Sequence, residues 1–276
     1  MTTDASRWAC PACAASGRAQ SAFCSACGEA QPGTPPPRWT AALSRWWRML
    51  KLLSFQPGEL TRAWLDGRRK PLAAPLTLFL GLNVVFFLSQ TLSGVAMLLI
   101  SLSAQFQNQG YSALANHWVD QHVSKQAVGR DRCQVTFDLR QQTLGKAGVI
   151  ALVPPFEALC AVALWRRRLP LRTHSIFALH FYSFSMSLMF LLIALVGIAA
   201  NAWAASGRRV YAVLLDNIVS LTHILMLGTY IALATRRAYR LTLALRVLLA
   251  VVLTTATLLA MYAHRFAVFT ATLWMN

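Results

Sequence analysis

The chain has 276 residues, of which 56% are hydrophobic and only 13% are charged. Soluble domains carry about 25% charged residues, so this composition excludes an ordinary soluble enzyme. The net charge is +17, and the charges lie outside long apolar runs, since no Asp, Glu, Lys or Arg occurs between Lys70 and Asp120. Because a transmembrane helix needs about 20 apolar residues, we predict an all-α polytopic membrane protein.

Two Cys-x-x-Cys pairs lie near the start of the sequence, Cys10 with Cys13 and Cys24 with Cys27. Two such pairs can place four thiolates around one tetrahedral Zn²⁺, and a segment this short has too little apolar surface to fold without a metal. We therefore predict a small zinc ribbon over residues 1–30 that holds one structural Zn²⁺ per chain. A pair of disulfides and an iron site are the alternatives.

The net charge of the predicted ribbon indicates which class of partner it contacts. Residues 1–30 contain two basic and two acidic side chains, so their net charge is zero. A nucleic-acid module needs a basic patch, and this balance argues against nucleic acid as the partner. We predict that the ribbon contacts another protein.

Residues 31–37 form a Pro-rich linker, after which residues 38–56 have helical periodicity. One face of that helix carries Trp39, Leu43, Trp46, Leu50 and Leu53, and the other is basic. We predict a basic amphipathic interfacial region over residues 38–70 that lies at the bilayer surface against anionic lipid headgroups. The alternative is that the apolar face packs against the membrane helices. The predicted membrane-surface basic residues are Arg45, Arg48, Lys51, Arg68, Arg69 and Lys70.

Five apolar runs predict about five transmembrane helices in a domain covering residues 71–276. Pro154 and Pro155 predict a kink in the second run, and the fifth run is the shortest. No apolar signal-peptide region precedes the first run, which we expect to act as an uncleaved targeting signal. The five runs are residues 75–103, 147–165, 174–205, 210–235 and 247–263, with an extracytoplasmic loop over about 105–146.

The orientation follows from the Lys and Arg residues near the ends of these runs, since cytoplasmic loops are enriched in them. With five crossings, sixteen such residues lie on the side of the N-terminus and eight on the other side. We predict a multi-pass protein of the bacterial cytoplasmic membrane, with its N-terminus in the cytoplasm and its C-terminus outside.

Four ionisable residues, Glu157, His180, Asp216 and His223, lie within the apolar runs and form a candidate polar site. Glu157 and His180 lie at similar predicted depths and could meet. A proton or ion path is one interpretation, and ordinary interhelical hydrogen bonding is the favoured one. Elsewhere, we expect Cys133 to be an exposed thiol and Cys160 a buried small hydrophobic residue.

Several segments together resemble the bacterial membrane family called domain of unknown function 3667. These are the ribbon from Cys10 to Gly28, Pro57-Gly58, the Gly67–Lys70 segment with Pro75, and Ala178-Leu179-His180-Phe181. Where the family pattern has a second histidine after His180, this chain has Tyr182. The resemblance implies a zinc-ribbon start before a membrane domain and implies no activity.

We interpret the chain as a membrane adaptor or sensor whose cytoplasmic ribbon mediates protein contacts. A proton- or ion-coupled transporter or channel is the second interpretation, and a membrane-embedded enzyme is the third. The sequence has no GxSxG, HExxH or Walker motif, so we assign no catalytic residue.

Overall fold

A computed structural model describes residues 7–10, 13–18, 24, 26, 38–68, 72–93, 101–106, 110–126, 129–205 and 212–275. In the ribbon region, strand β1 (Arg7–Ala9) pairs antiparallel with β2 (Ser16–Arg18). The turn between them closes through backbone hydrogen bonds of Cys10 with Ala14 and Ala15. This is the geometry of a knuckle that presents Cys10 and Cys13 from one tight turn.

Ten α-helices make up most of the described residues that follow. They are α1 (Arg38–Phe55), α2 (Glu59–Leu65), α3 (Pro75–Ser93), α4 (Leu102–Gln105), α5 (Ser112–Gln126), α6 (Arg130–Ala151), α7 (Val153–Ala163), α8 (Leu171–Ala205), α9 (Ala212–Tyr239) and α10 (Leu243–Trp274). A 3₁₀ turn, Trp165–Arg167, follows α7.

Three of these helices are long and apolar enough to cross a membrane: Leu171–Ala199 in α8, Asn217–Tyr239 in α9, and all of α10. The apolar part of α3, Pro75–Ser89, is shorter, and so is α7. At about 1.5 Å per residue, the 11 residues of α7 are too short to cross a ~30 Å core alone. Five crossings therefore stay a prediction.

The helix bounds differ from the apolar runs in two places. The second run is interrupted as predicted, because α6 ends at Ala151 and α7 places Pro154 and Pro155 in its first turn, where proline is tolerated. The described part of α3 ends at Ser93, and residues 94–100 of the first run lie outside the described residues. The fifth run is the shortest, yet its helix α10 has 32 residues and continues past His264 and Arg265.

A main hydrophobic cluster lies where α3, α7, α8, α9 and α10 meet, and α1 and α2 contribute to it. Met49 and Leu53 are the buried residues of α1 in this cluster. Gly81 in α3 leaves room for the ring of Trp46, because a Cβ there would lie 3.1 Å from ring atom Cζ2. One face of α1 thus packs on the bundle, as the alternative interpretation of its apolar stripe stated.

The remaining surface of α1 carries both apolar and basic side chains. Leu43 and Trp47 are exposed, Trp47 by 70%, and they lie close together on one face of the helix. Arg45 and Lys51 are also exposed. This combination of exposed apolar and basic side chains is typical of a helix at a bilayer surface.

A second hydrophobic cluster, which we call the distal cluster, lies at the far end of α10. It joins α4, α5 and α6 to the last turns of α10 through the buried side chains of Leu102, Tyr111, Ala115, Val119, Cys133, Phe137, Phe269 and Leu273. A carboxylate oxygen of Asp138 accepts the backbone N–H of Leu102 at 2.9 Å and so caps α4. This packing explains why α10 is longer than its uncharged run.

Candidate functional site

The short helix α2 attaches the amphipathic region to the membrane helices. Thr61 in α2 and His180 in α8 are each 1% exposed, and Thr61 Oγ1 shares a hydrogen bond of 2.9 Å with His180 Nδ1. The other ring nitrogen, Nε2, is buried and has no hydrogen-bond partner among the described residues. His180 therefore serves as the anchor of α2 and not as an isolated group in the membrane.

The backbone beside α2 also contacts α9. Gly58 has φ +81°, and a Cβ built on it would lie 2.8 Å from the Cα of Ala234. The guanidinium of Arg237 donates a hydrogen bond to the carbonyl oxygen of Pro57 at 3.3 Å. Only glycine combines this left-handed conformation with so close an approach, so Pro57 and Gly58 fix the position of α2 on α9.

Four charged residues in and beside α2 pair with one another. Arg68 lies 3.4 Å from a carboxylate oxygen of Glu59 and 3.3 Å from one of Asp66, and Arg62 lies 3.3 Å from Asp66. All four side chains are partly or largely exposed, so each pair contributes at most about 1 kcal/mol. Arg68, one of the predicted lipid-facing residues, is thus partly neutralised, and Arg69 and Lys70 lie outside the described residues.

Three of the four predicted intramembrane residues, Glu157, His180 and His223, have a separate partner each. Glu157 in α7 accepts a hydrogen bond of 2.6 Å from Ser175 in α8, and His223 in α9 lies 3.3 Å from the hydroxyl of Ser185. Asp216 lies in α9, and its side chain is outside the described part of the structure. The structure does not bring Glu157 and His180 together as a hydrogen-bonded pair, although their helices pack against each other.

A second histidine of α8, His174, lies near the start of that helix. His174 Nδ1 and the hydroxyl of Tyr239 lie 3.2 Å apart, and their rings stack with centroids at 5.7 Å. Both side chains are buried. The start of α8 and the end of α9 are therefore joined by a histidine–tyrosine contact that the sequence motifs did not indicate.

Three of the four predicted metal ligands lie together. The Sγ atoms of Cys10, Cys13 and Cys24 are all within 4.8 Å of one another, and those of Cys13 and Cys24 are 3.6 Å apart. Tetrahedral thiolates bound at ~2.3 Å would be separated by roughly 3.8 Å. These three thiols can therefore hold one metal ion, while Cys27 lies outside the described residues.

One contact links the ribbon to the amphipathic helix. The guanidinium of Arg48 donates a hydrogen bond of 2.8 Å to the backbone carbonyl of Ala26, two residues after Cys24. We predicted Arg48 to contact lipid headgroups, and its described partner is the ribbon. This hydrogen bond is a described contact between the cysteine-containing segment and α1.

The two remaining cysteines are both buried. Cys160 in α7 is 1% exposed, as expected for a small hydrophobic residue. The expectation for Cys133 is wrong, because it is only 9% exposed in the distal cluster. Burial raises the pKa of the Cys133 thiol, and the nearby Arg130 guanidinium opposes that shift. Cys133 and Phe137 are four residues apart on α6, and this helical spacing is the signal that the sequence interpretation missed.

Comparison with curated proteins and with solved structures gave no match. A family model matches a segment that includes α2 and most of both α1 and α3, with Gly58 and Thr61. The ribbon and the segment around His180 lie outside this match. Over residues 44–87 the chain is similar to the family described as protein of unknown function (DUF3667), which confirms the resemblance in the segment that attaches α1 and α2 to the membrane helices.

Proposed function

We propose that this protein is an integral membrane adaptor or sensor whose N-terminal ribbon binds zinc on the cytoplasmic side and contacts a protein partner. The observation that carries the proposal is a continuous set of contacts from ribbon to bundle. Ala26 is held by Arg48 of α1, and α2 is anchored by Thr61 on His180 of α8. A partner bound at the ribbon would act on α8 through this route.

The ribbon provides a stable platform for such a contact. Four cysteine ligands would fill the coordination sphere of zinc, so the metal would have a structural role and no open position for catalysis. Cys10 and Cys24 are buried while Cys13 and Ala26 are exposed, so the described knuckle offers surface beside the metal site. The neutral charge of residues 1–30 supports a protein partner over nucleic acid.

The packing supports a topology with an odd number of crossings, of which we propose five. The amphipathic region contacts α8 near its start and α9 near its end. The last turns of α10 instead pack in the distal cluster, with α4, α5 and α6. Contacts at opposite ends of the bundle agree with a cytoplasmic N-terminus and an external C-terminus in a bacterial cytoplasmic membrane.

The adaptor interpretation is favoured over a transporter by the distribution of polar groups. In the described helices, Glu157, His180 and His223 make hydrogen bonds with Ser175, Thr61 and Ser185, respectively. A path for ions or protons needs a chain of polar groups, each close to the next, from one side of the membrane to the other. Local pairs of this kind are instead the usual means of joining helices.

The proposal is tested by comparing the partners of three variants. Cys10→Ser and Cys24→Ser each remove a metal ligand, while Cys133→Ser changes a buried cysteine of the distal cluster. Intact cells are crosslinked, and the tagged full-length proteins are purified from membranes and their bound proteins quantified by mass spectrometry. We expect the same partner to be lost from both ribbon variants and retained by Cys133→Ser, with equal amounts of each variant in the membrane.

An identical set of partners for the wild type and both ribbon variants would contradict the adaptor role. A matched pair of variants in α1 tests the contact with the ribbon directly. Arg48→Ala removes the hydrogen bond to Ala26, and Lys51→Ala removes an exposed cation one turn away. Partner recovery should fall with Arg48→Ala and stay unchanged with Lys51→Ala, because a loss of surface charge alone would affect both alike.

A further inference from the structure

The three described cysteines of the ribbon differ in their exposure to solvent. Cys10 and Cys24 are only 2% and 3% exposed, whereas Cys13 is exposed. Cys13 lies in the turn between β1 and β2, which the backbone hydrogen bonds of Cys10 with Ala14 and Ala15 close. A small molecule that approaches these three thiols therefore meets Cys13 first.

A second thiol lies within reach of Cys13. The Sγ atoms of Cys13 and Cys24 are 3.6 Å apart, although the residues are 11 positions apart in the sequence. A disulfide has a sulfur–sulfur distance of about 2.0 Å, so the two atoms would need to approach each other by only ~1.6 Å. Cys24 is thus placed to react with an oxidised Cys13.

The geometry that suits a metal ion also suits this oxidation. A cysteine that binds a metal ion is deprotonated, and the thiolate is the form of cysteine that peroxides oxidise. The first product of that oxidation is a sulfenic acid, which condenses with a neighbouring thiol to a disulfide. Cys13 combines exposure, metal-ligand geometry and a close neighbour, which are the features of a redox-reactive cysteine.

We propose that Cys13 is a peroxide-reactive residue whose oxidation forms a disulfide with Cys24 and releases the metal ion. The Cys13 thiolate attacks one oxygen of hydrogen peroxide, the O–O bond breaks, and hydroxide leaves. The Cys24 thiolate then attacks the sulfur of the sulfenic acid, the S–S bond forms, and a second hydroxide leaves. The two thiolates lose two electrons in all, and two protons from solvent convert both hydroxides to water. This inference rests on the proposed zinc ribbon and names the stimulus of the sensor.

Loss of the metal would reach α1 through the contact described above. The fold of so short a segment depends on its metal, so a ribbon without zinc should lose its structure. Ala26, whose carbonyl oxygen accepts a hydrogen bond from Arg48 of α1, is two residues after Cys24. Disulfides in the cytoplasm are transient, because dithiol proteins reduce them. The reaction therefore gives a reversible link between an oxidant and the amphipathic helix.

The test uses purified full-length protein in detergent, loaded with zinc and exposed to hydrogen peroxide. A chromogenic chelator follows the released zinc, and peptide mass spectrometry identifies the oxidised cysteines, with dimedone added in parallel samples to trap the first sulfenic acid. We expect the dimedone adduct at Cys13 and, without dimedone, a Cys13–Cys24 disulfide that appears as the zinc is released. A dithiol reductant with added zinc should restore the metal site.

Two ligand replacements separate the reactive thiol from the metal site. Histidine is also a zinc ligand, so Cys13→His and Cys10→His each keep the number of ligands, and their zinc content is measured before peroxide is added. Cys13→His should release zinc about tenfold more slowly than the wild type, because it lacks the exposed thiolate. Cys10→His retains Cys13 and Cys24 and should release zinc at the wild-type rate.

The oxidation products of the wild type decide the proposal even where a histidine variant fails to bind zinc. The proposal is overturned if the zinc-loaded wild type keeps its metal in peroxide, or if the first adduct and the disulfide form without Cys13. Equal rates of zinc release from Cys13→His and Cys10→His would also overturn it. Purified protein without any zinc would instead contradict the proposed zinc ribbon and this inference with it, so the two failures are distinguishable.

Discussion

Thr61 Oγ1 lies 2.9 Å from Nδ1 of His180, although the two residues are 119 positions apart in the sequence. Both side chains are buried, and the hydrogen bond ties a seven-residue helix to the first third of α8. A helix as short as α2 has little stability of its own. Its position therefore depends on this bond and on the contact of Gly58 with α9.

Thr61→Val should lower the free energy of unfolding by about 1 to 2 kcal/mol, because the isosteric change leaves a ring nitrogen of His180 buried without its partner. Chemical unfolding in detergent, followed by helical circular dichroism, measures the loss. Thr255→Val, at an exposed position of α10, is the control. In a His180→Leu background Thr61→Val should cost much less, and equal costs in the two backgrounds would contradict the pairing.

Gly58→Ala should destabilise the protein more than Gly67→Ala. The two glycines have nearly equal φ values, +81° and +80°, so a Cβ strains the backbone alike at both. A Cβ at Gly58 also meets the backbone of Ala234, while no atom of the described residues lies within 4 Å of a Cβ at Gly67. We expect an extra cost of about 1 to 3 kcal/mol in the same unfolding measurement, and equal losses would show that α2 does not approach α9 this closely.

Purified protein should contain one zinc per chain by elemental analysis. Cys10→Ser and Cys24→Ser should each lose it while the thermal unfolding of the membrane helices changes little, because the predicted linker at residues 31–37 separates a metal-folded ribbon from the bundle. Cys160→Ser, which changes a cysteine of the main hydrophobic cluster and no predicted metal ligand, should keep the zinc. Iron in place of zinc, or zinc retained by both ribbon variants, would refute the assignment.

The Cys133 thiol should make stability fall at alkaline pH. Its pKa is raised in the folded protein because burial disfavours the thiolate. In the unfolded chain the thiol loses its proton at a pKa of about 8.5, which is below its pKa in the folded protein. Between these two pKa values the folded state binds more protons than the unfolded state, so the free energy of unfolding falls as the pH rises. Unfolding midpoints of wild type and Cys133→Ser should diverge above that pH, with the wild type falling faster. Parallel pH profiles would mean that Cys133 ionises normally.

Reporter fusions test the proposed topology. Fusions after Arg168 and Arg240 should report the cytoplasm, and fusions after Gln121 and at Asn276 should report the exterior, because sixteen juxtamembrane cations lie on one side and eight on the other. The distal cluster adds a structural reason, since α5 and the end of α10 pack together. A cytoplasmic signal at Asn276 with an external one at Gln121 would contradict both arguments.

Hydropathy and proline predicted the parts of the fold that depend on local sequence. Helices α8 and α9 follow their apolar runs closely, and Pro154 marks the interruption between α6 and α7. The end of α10 was not predictable this way. His264 and Arg265 look like the end of a span, and the cluster that extends the helix is formed with residues more than a hundred positions earlier.

The sequence predicted the candidate site only where residues of the same type recur a few positions apart. Two Cys-x-x-Cys pairs indicate a metal site on their own, and three of the four thiols are close together. Thr61 carried no comparable signal, because a threonine in a short helix matters only through the distant histidine that it meets. The same holds for Tyr182, because the lack of a hydrogen-bond partner for its hydroxyl among the described residues is a property of the packed bundle and not of the sequence around it.

The distal cluster also fixes an order of events during biosynthesis. Helices α4, α5 and α6 are synthesised long before Phe269 and Leu273, which fill the centre of their shared core. Arg140 and the carbonyl of Met275, which it contacts at 3.4 Å, are 135 positions apart. Until α10 has been made and inserted, these three helices expose apolar faces with nothing to cover them. We therefore expect these helices to reach their final packing only after α10 has been completed.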